Sequence, residues 1–118
     1  MTEDQEQQNV IKWSQQPTIR KAYPELAMLY HIPNERKCSV QEGARLKRMG
    51  VKRGVPDLCL PIPRGKYHGL YIEMKTETGR PTPEQKWWGE KLTGAGYFWE
   101  VCHGWQIAVR VLEWYLTT

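Results

Sequence analysis

Cysteine is scarce in this 118-residue chain: there are three, Cys38, Cys59 and Cys102, and no two stand in a C-x-x-C spacing. An odd, scattered set excludes a disulfide framework and a zinc-finger ligand set, and it points to a reducing compartment. The three histidines, His31, His68 and His103, are equally dispersed, and Cys102 and His103 are too close in sequence for a normal structural zinc pair. No apolar run approaches the ~18 residues of a membrane span. The N-terminus is acidic and glutamine-rich where a secretory signal would be basic and then apolar. Internal repeats and low-complexity segments are also missing. These absences predict a soluble intracellular protein with no membrane partner.

What is present fits one domain, long enough to bury a core and too short for a second. Lysine and arginine number 17 against 13 acids, for a net charge of +4 and a sequence pI near 9.0. That balance favours a polyanionic partner. Five of the nine residues from Arg45 to Arg53 are basic: Arg45, Lys47, Arg48, Lys52 and Arg53. A solvated helix face is the commoner fate of such a run. Here it leads directly into the most informative stretch of the chain, which favours phosphate contact.

That stretch is Gly54 to Lys75. Asp57 to Ile62 and Leu70 to Lys75 are short apolar, β-branched and aromatic runs, separated by Pro63-Arg-Gly-Lys-Tyr-His-Gly69, which reads as a turn. If Leu60 pairs with Leu70, Asp57 falls opposite Glu73, with side chains about 5 Å apart on one face. Two carboxylates that close repel unless one is protonated or a cation lies between them, so the pair asks for a divalent metal with hard oxygen ligands. Lys75 shares the face of Glu73 and Met74 turns away. The ammonium then stands where it can orient a nucleophile or stabilise charge on a phosphate. A surface hairpin with an inert Glu–Lys pair is the plainer alternative.

The remaining elements follow in order. Thr2-Glu-Asp-Gln5 has capping-box spacing and predicts a helix from about Glu3 to Gln15, with Val10 and Trp13 on its apolar stripe. Glu3 or Glu6 on that helix can reach a site on the sheet, or both can serve only the helix dipole. Pro17 is expected to end the helix, and residues 18 to 25 read as a connector. Leu26 to Ile32 reads as a buried strand, with His31 more readily a core histidine than a ligand. Asn34 opens a polar loop suited to substrate contact. Ser39-Val-Gln-Glu42 starts a second helix that stops at Gly50. Thr82-Pro-Glu-Gln85 starts a third. Gln85 either closes its capping box or faces the carboxylates. Trp87 and Trp88 are expected in the core in preference to the alternative of base-stacking platforms, and Lys86 and Lys91 are placed to touch phosphates. Tyr97 to Cys102 reads as a fourth strand. Trp105 to Leu116 reads as a last helix, with Ile107, Val111, Leu112 and Tyr115 at core spacing.

Pro56-Asp57 followed by Glu73-Met74-Lys75 resembles the signature of the PD-(D/E)xK nuclease superfamily. The chain as a whole is similar to a stand-alone VRR-NUC domain, the virus-type replication-repair nuclease module. The likeness runs through Glu3, Glu6 and Gln7, His31-Ile-Pro-Asn34, Gly43-Ala-Arg-Leu-Lys47, Gly54-Val-Pro-Asp-Leu58, Gly69 to Lys75, Pro83-Glu-Gln85, and Gly96-Tyr97 leading to Val101-Cys102. It departs at Glu35-Arg36, where similar proteins often carry Gly-Gly.

The resemblance implies an α/β fold with a restriction-endonuclease-like core, a central mixed β-sheet flanked by helices in the order α-β-α-β-β-α-β-α. It also implies a Mg2+- or Mn2+-dependent endodeoxyribonuclease in the cytoplasm of a bacterial or phage-infected cell. Asp57, Glu73 and the Met74 carbonyl would hold the metal, and Lys75, Gln85 and a helix-one glutamate, Glu3 or Glu6, would complete the site. DNA would lie on Arg45, Lys47, Arg48, Lys52, Arg53, Asn34 and Lys86. Branched DNA such as a Holliday junction, cut by a homodimer in DNA repair, is the implied substrate. The rivals are a nickase or flap nuclease, a restriction-like enzyme needing a partner, and a catalytically silent DNA-binding module.

Overall fold

The computed structural model describes residues 1–34 and 38–118. The Glu35-Arg36 departure lies outside the described residues. Helix α1, Glu3–Gln15, starts at the expected capping box: Thr2 Oγ1 accepts the Gln5 N–H at 3.2 Å and Gln5 Oε1 accepts the Thr2 N–H at 2.9 Å. Two helical segments then stand where a connector and a buried strand were expected. Helix α1 stops at Gln15 with Gln16 extended, as expected ahead of Pro17, and Pro17 itself opens α2, Pro17–Ala22, where its missing N–H costs nothing. Pro24–Met28 forms a 3-10 helix that buries only Leu26. What remains of the expected strand is β1, Tyr30–His31, and both of its residues are exposed. His31 is therefore not a core histidine.

Helix α3, Val40–Arg48, is capped by Ser39, whose Oγ accepts the Glu42 N–H at 3.1 Å. The reciprocal half of that box is replaced by an ion pair, with Glu42 turned to Arg45 at 2.6 Å. Strand β2, Leu58–Leu60, and strand β3, Leu70–Lys75, form the expected hairpin, with Leu58 opposite Ile72 and Leu60 opposite Leu70. Helix α4, Pro83–Gly94, crosses to β4, Phe98–His103, which lies parallel to β3. Helix α5, Trp105–Leu116, ends the chain.

The sheet order is β1-β2-β3-β4, antiparallel except for β3 with β4. Strand β3 is internal, and its two faces meet different surroundings. Leu70, Ile72 and Met74 enter the core with Val10 of α1 and Leu112 and Tyr115 of α5. Each such side chain contributes ~1.5–3 kcal/mol by leaving water. Ile107, expected in this core, is instead exposed on α5. Tyr71, Glu73 and Lys75 point to the opposite face, where α4 packs. A Cβ on Gly89 of α4 would lie 2.5 Å from the Trp99 indole, so only glycine allows the helix this close to β4. This contact sets the depth at which α4 presents Gln85 to β3.

Candidate active site

The hairpin ladder changes at the carboxylate pair. Asp57 donates its N–H at 3.0 Å to the carbonyl of Ile72, which is also the register partner of Leu58. Two residues facing one is the geometry of a β-bulge, a device that re-aims a side chain at the end of a ladder. The Asp57 carbonyl is held from β1, by the Ile32 N–H at 2.8 Å and by His31 Nδ1 at 2.8 Å. Its carboxylate turns back across the hairpin, where Oδ2 accepts the Met74 N–H at 2.7 Å. Asp57, Glu73 and Lys75 are almost inaccessible, at 3%, 1% and 5% exposure.

Glu73 shows what that proximity costs. Burial first, then the negative charge of Asp57 beside it, push the Glu73 carboxyl up to about 9; Glu3 adds to the rise and Lys75 opposes it. Glu73 Oε2 accepts the Gln85 amide N–H at 3.1 Å. The same Gln85 closes the α4 capping box, its Oε1 accepting the Thr82 N–H at 2.8 Å. The two alternatives for Gln85 hold together, because the amide has an acceptor for one task and a donor for the other.

The two helix-one glutamates separate. Glu3 Oε2 lies 3.7 Å from Lys75 Nζ, an ion pair at the rim of the site. Glu6 is buried, and its Oε2 would come within 3.2 Å of a Cβ built on Gly104. Gly104 in turn donates its N–H to the Lys75 carbonyl at 3.0 Å.

A hard divalent cation suits this set of oxygens. Among the described residues, Glu73 Oε1 and Glu6 Oε1 are buried side-chain oxygens with no hydrogen-bond partner. An orphaned buried carboxylate oxygen costs free energy unless a proton or a cation satisfies it. The carbonyl of Met74 points to the β2 side, since carbonyl direction alternates along a strand and Ile72 faces that way. The residue preceding Asp57 there is Pro56, which has no N–H to offer it. No group of three or more histidine, cysteine, aspartate or glutamate side chains suited to an ion is found among the described residues. A cation at this place would have to draw on the Asp57 and Glu73 carboxylates, a main-chain carbonyl and solvent or substrate.

A VRR-NUC domain family model matches residues 1–106. The chain belongs to the VRR-NUC family. It is also similar to a solved VRR_NUC domain protein at 39% identity, with a TM-score of 0.82 over 99% of this chain and 89% of that one. No curated protein matches it. Membership implies a nuclease-type function with DNA as substrate, and the mixed sheet flanked by helices is the fold of that relative. No helix among the described residues is long and apolar enough to cross a membrane.

Three of the basic residues of this VRR-NUC domain share neighbouring cavities. Lys52 and Arg53 lie together beside α4, and Lys47 joins them in an adjoining cavity. Arg45 is held on the exposed side of α3 by Glu42, and Arg48 is exposed at that helix's end. Asn34 is half-buried after β1, and Lys86 is exposed in the first turn of α4. Trp87 is 52% exposed, against the expectation of a core position. The sequence reading missed the His31 contact with the Asp57 carbonyl, for which histidine in a two-residue edge strand gives no signal. It also missed the seating of Gly54 (φ +86°) on α4, where a Cβ would meet Glu84 Cβ at 2.7 Å. An isolated glycine two residues before Pro56-Asp57 was the available sign of that close approach.

Proposed function

We propose that this chain is a divalent-metal-dependent endodeoxyribonuclease that hydrolyses phosphodiester bonds at Asp57, Glu73 and Lys75. The observation that carries the reading is the buried carboxylate pair: burial and the charge of Asp57 push the Glu73 carboxyl up, and its buried Oε1 has no hydrogen-bond partner. A structural hairpin has no use for that arrangement. Asp57, Glu73 and the Met74 carbonyl would hold Mg2+ or Mn2+, with Glu6 Oε1 a further oxygen at the same sheet end. When bound, the cation supplies a nucleophile at neutral pH and neutralises phosphate charge.

The chain's own residues divide the remaining work. Lys75 Nζ, positioned by Glu3, donates to the attacking water and to the phosphate oxygens as negative charge builds on them. Gln85 fixes the rotamer of Glu73. Lys47, Lys52 and Arg53 hold the flanking phosphates. Such contacts carry no sequence information, so selectivity comes from DNA shape.

Branched DNA, including the four-way junction, is the substrate class we assign, with two copies of the chain cutting opposed strands. The two-copy reading is supported by exposed Ile107 and Trp114 of α5, around a cavity of about 500 Å³ also lined by Tyr67, Phe98, Glu100, Arg110 and Val111. The test is cleavage of end-labelled four-way junction, flap, nicked and linear duplex DNA with Mg2+ or Mn2+. Symmetric paired cuts confined to the junction support the dimeric reading. Cuts confined to flaps or nicks replace it with the single-strand rival, and salt-sensitive binding with no cleavage of any substrate leaves a binding module.

A further inference from the structure

Beside the first turns of α4 is a cleft of about 620 Å³ lined by Lys52, Arg53, Pro83, Glu84, Trp87 and Trp88, of which the catalytic proposal uses only Lys52 and Arg53. Its volume lies in the ~300–1,000 Å³ range of sites that enclose small organic groups. A second cavity of about 430 Å³ shares Lys52 and Arg53 with it and adds Lys47 and Val51. The cleft is braced by the Trp88 Nε1–H, which donates to the Arg53 carbonyl at 3.1 Å. The Trp87 and Trp88 rings are perpendicular, centres 5.5 Å apart at 87°; Lys91 Nζ lies 5.8 Å over the Trp87 ring, a mobile cation that a base can displace, and half of the Trp87 surface is in solvent.

An aromatic ring left half exposed beside clustered cations suits a ligand with a flat face and a negative charge. A nucleotide has both. The carboxylate of Glu84 refines the orientation: it repels a phosphate but accepts a hydrogen bond from a base amino group. The base therefore belongs at the Glu84–Trp87 end, and the phosphate at the end shared by Lys47, Lys52 and Arg53. The cleft is also tied to the reacting site through both walls. Gln85, next to Glu84, holds Glu73. Arg53 precedes Asp57 by only four residues, no more than about 14 Å of extended chain.

We propose that this cleft stacks one unpaired nucleobase of the DNA strand beside the scissile phosphate. Trp87 takes the face of the base, and Lys52 and Arg53 take its phosphate. Paired bases have both faces covered by their neighbours, so the site selects DNA with unpaired nucleotides next to the cut: a flap, a splayed arm, or a junction opened at its branch. This deepens the nuclease reading and rests on it for the identity of the strand.

The experiment places 2-aminopurine in the single-stranded arm of a forked duplex and measures its fluorescence and the binding affinity in chelator, where no cleavage occurs. Wild type, Trp87→Ala and Trp87→Phe are compared, with a fully paired duplex as reference. Trp87→Ala should weaken binding to the fork by about fivefold or more, the low end of what stacking one base contributes. It should also abolish the fluorescence change, leave the duplex affinity unaltered, and be rescued by phenylalanine. Equal loss on fork and duplex, or no loss on either, overturns the proposal. So does a Trp87→Ala effect confined to self-association in sedimentation, which would make the cleft a contact between copies. Cleavage of the same fork by wild type in Mn2+ is scored separately, so failure of the nuclease reading is visible apart from failure of the stacking site.

Discussion

Asp57 Oδ2 accepts the main-chain N–H of Met74 at 2.7 Å, so one oxygen of a catalytic candidate also fastens the hairpin that carries the other. An asparagine side chain can keep that bond through its oxygen while removing the charge that raises Glu73. Asp57→Asn should therefore fold, and at pH 8 in chelator it should melt higher than wild type. Once the Glu73 carboxyl relaxes below pH 8, each further unit contributes about 1.4 kcal/mol, or a Tm rise of about 6 °C in a domain of this size. The rise in Tm that Mn2+ gives wild type should be absent. A variant that melts several degrees lower would show that Asp57 serves the hairpin first.

The raised Glu73 carboxyl fixes the sign of the pH dependence without metal. Its folded-state value of about 9 lies far above the ordinary glutamate value, so the folded chain keeps a proton that the unfolded chain has released. The contribution of this group to stability is fully present below the unfolded value of 4.5 and is lost as pH rises through about 9. Denaturant unfolding in chelator should show stability falling between pH 5 and 9, by up to about 1.4 kcal/mol per pH unit from this group. Saturating Mn2+ should flatten the fall, because a bound cation takes the place of the proton. A flat profile in chelator would contradict the burial and charge coupling of Glu73.

The hairpin was legible because two apolar runs and a proline-and-glycine turn leave one sensible register, and that register brings Asp57 to Glu73. The bulge at Asp57 was not legible, since it depends on β1 gripping the Asp57 carbonyl from outside the hairpin. Residues 26 to 32 misled for a different reason. They are apolar without period-2 alternation, and chain geometry set by Pro24 curls the first half into a 3-10 helix that needs only Leu26 buried. Pro17 does end α1, but the same residue also suits the first turn of a helix, and α2 follows where only a connector was legible. Trp87 was assigned to the core on residue type alone. What exposes it is the placement of α4, set by Gly89 against Trp99, which involves residues far apart in sequence.

Two substitutions separate the roles of Gln85. Thr82→Ala removes the helix cap but leaves the contact with Glu73. It should cost about 1 kcal/mol of stability and change the cleavage rate by less than about threefold. Gln85→Ala removes both contacts. It should cost similar stability and slow cleavage by about 10- to 100-fold, as the loss of a residue that orients a metal ligand does. Equal rates for the two variants would reduce Gln85 to a helix cap.

Glu3 and Glu6 should differ in kind. Glu3→Gln releases Lys75 and should slow cleavage by about tenfold, a barrier change of ~1.4 kcal/mol, while the Mn2+-induced rise in Tm persists. Glu6→Gln replaces a buried carboxylate whose Oε1 has no partner among the described residues, and it should diminish that rise. The opposite pattern, read by thermal melting with and without Mn2+, would exchange the two roles.

The most direct measurement is single-turnover cleavage of an end-labelled four-way junction by wild type and Asp57→Asn, in Mn2+ and in chelator, at matched protein folding. The account predicts discrete cuts by wild type in Mn2+, none in chelator, and at least about a hundredfold loss in the variant, since the charge removed is that of the proposed metal ligand. Cleavage by Asp57→Asn at the wild-type rate, or wild-type cleavage that survives chelator, would contradict it.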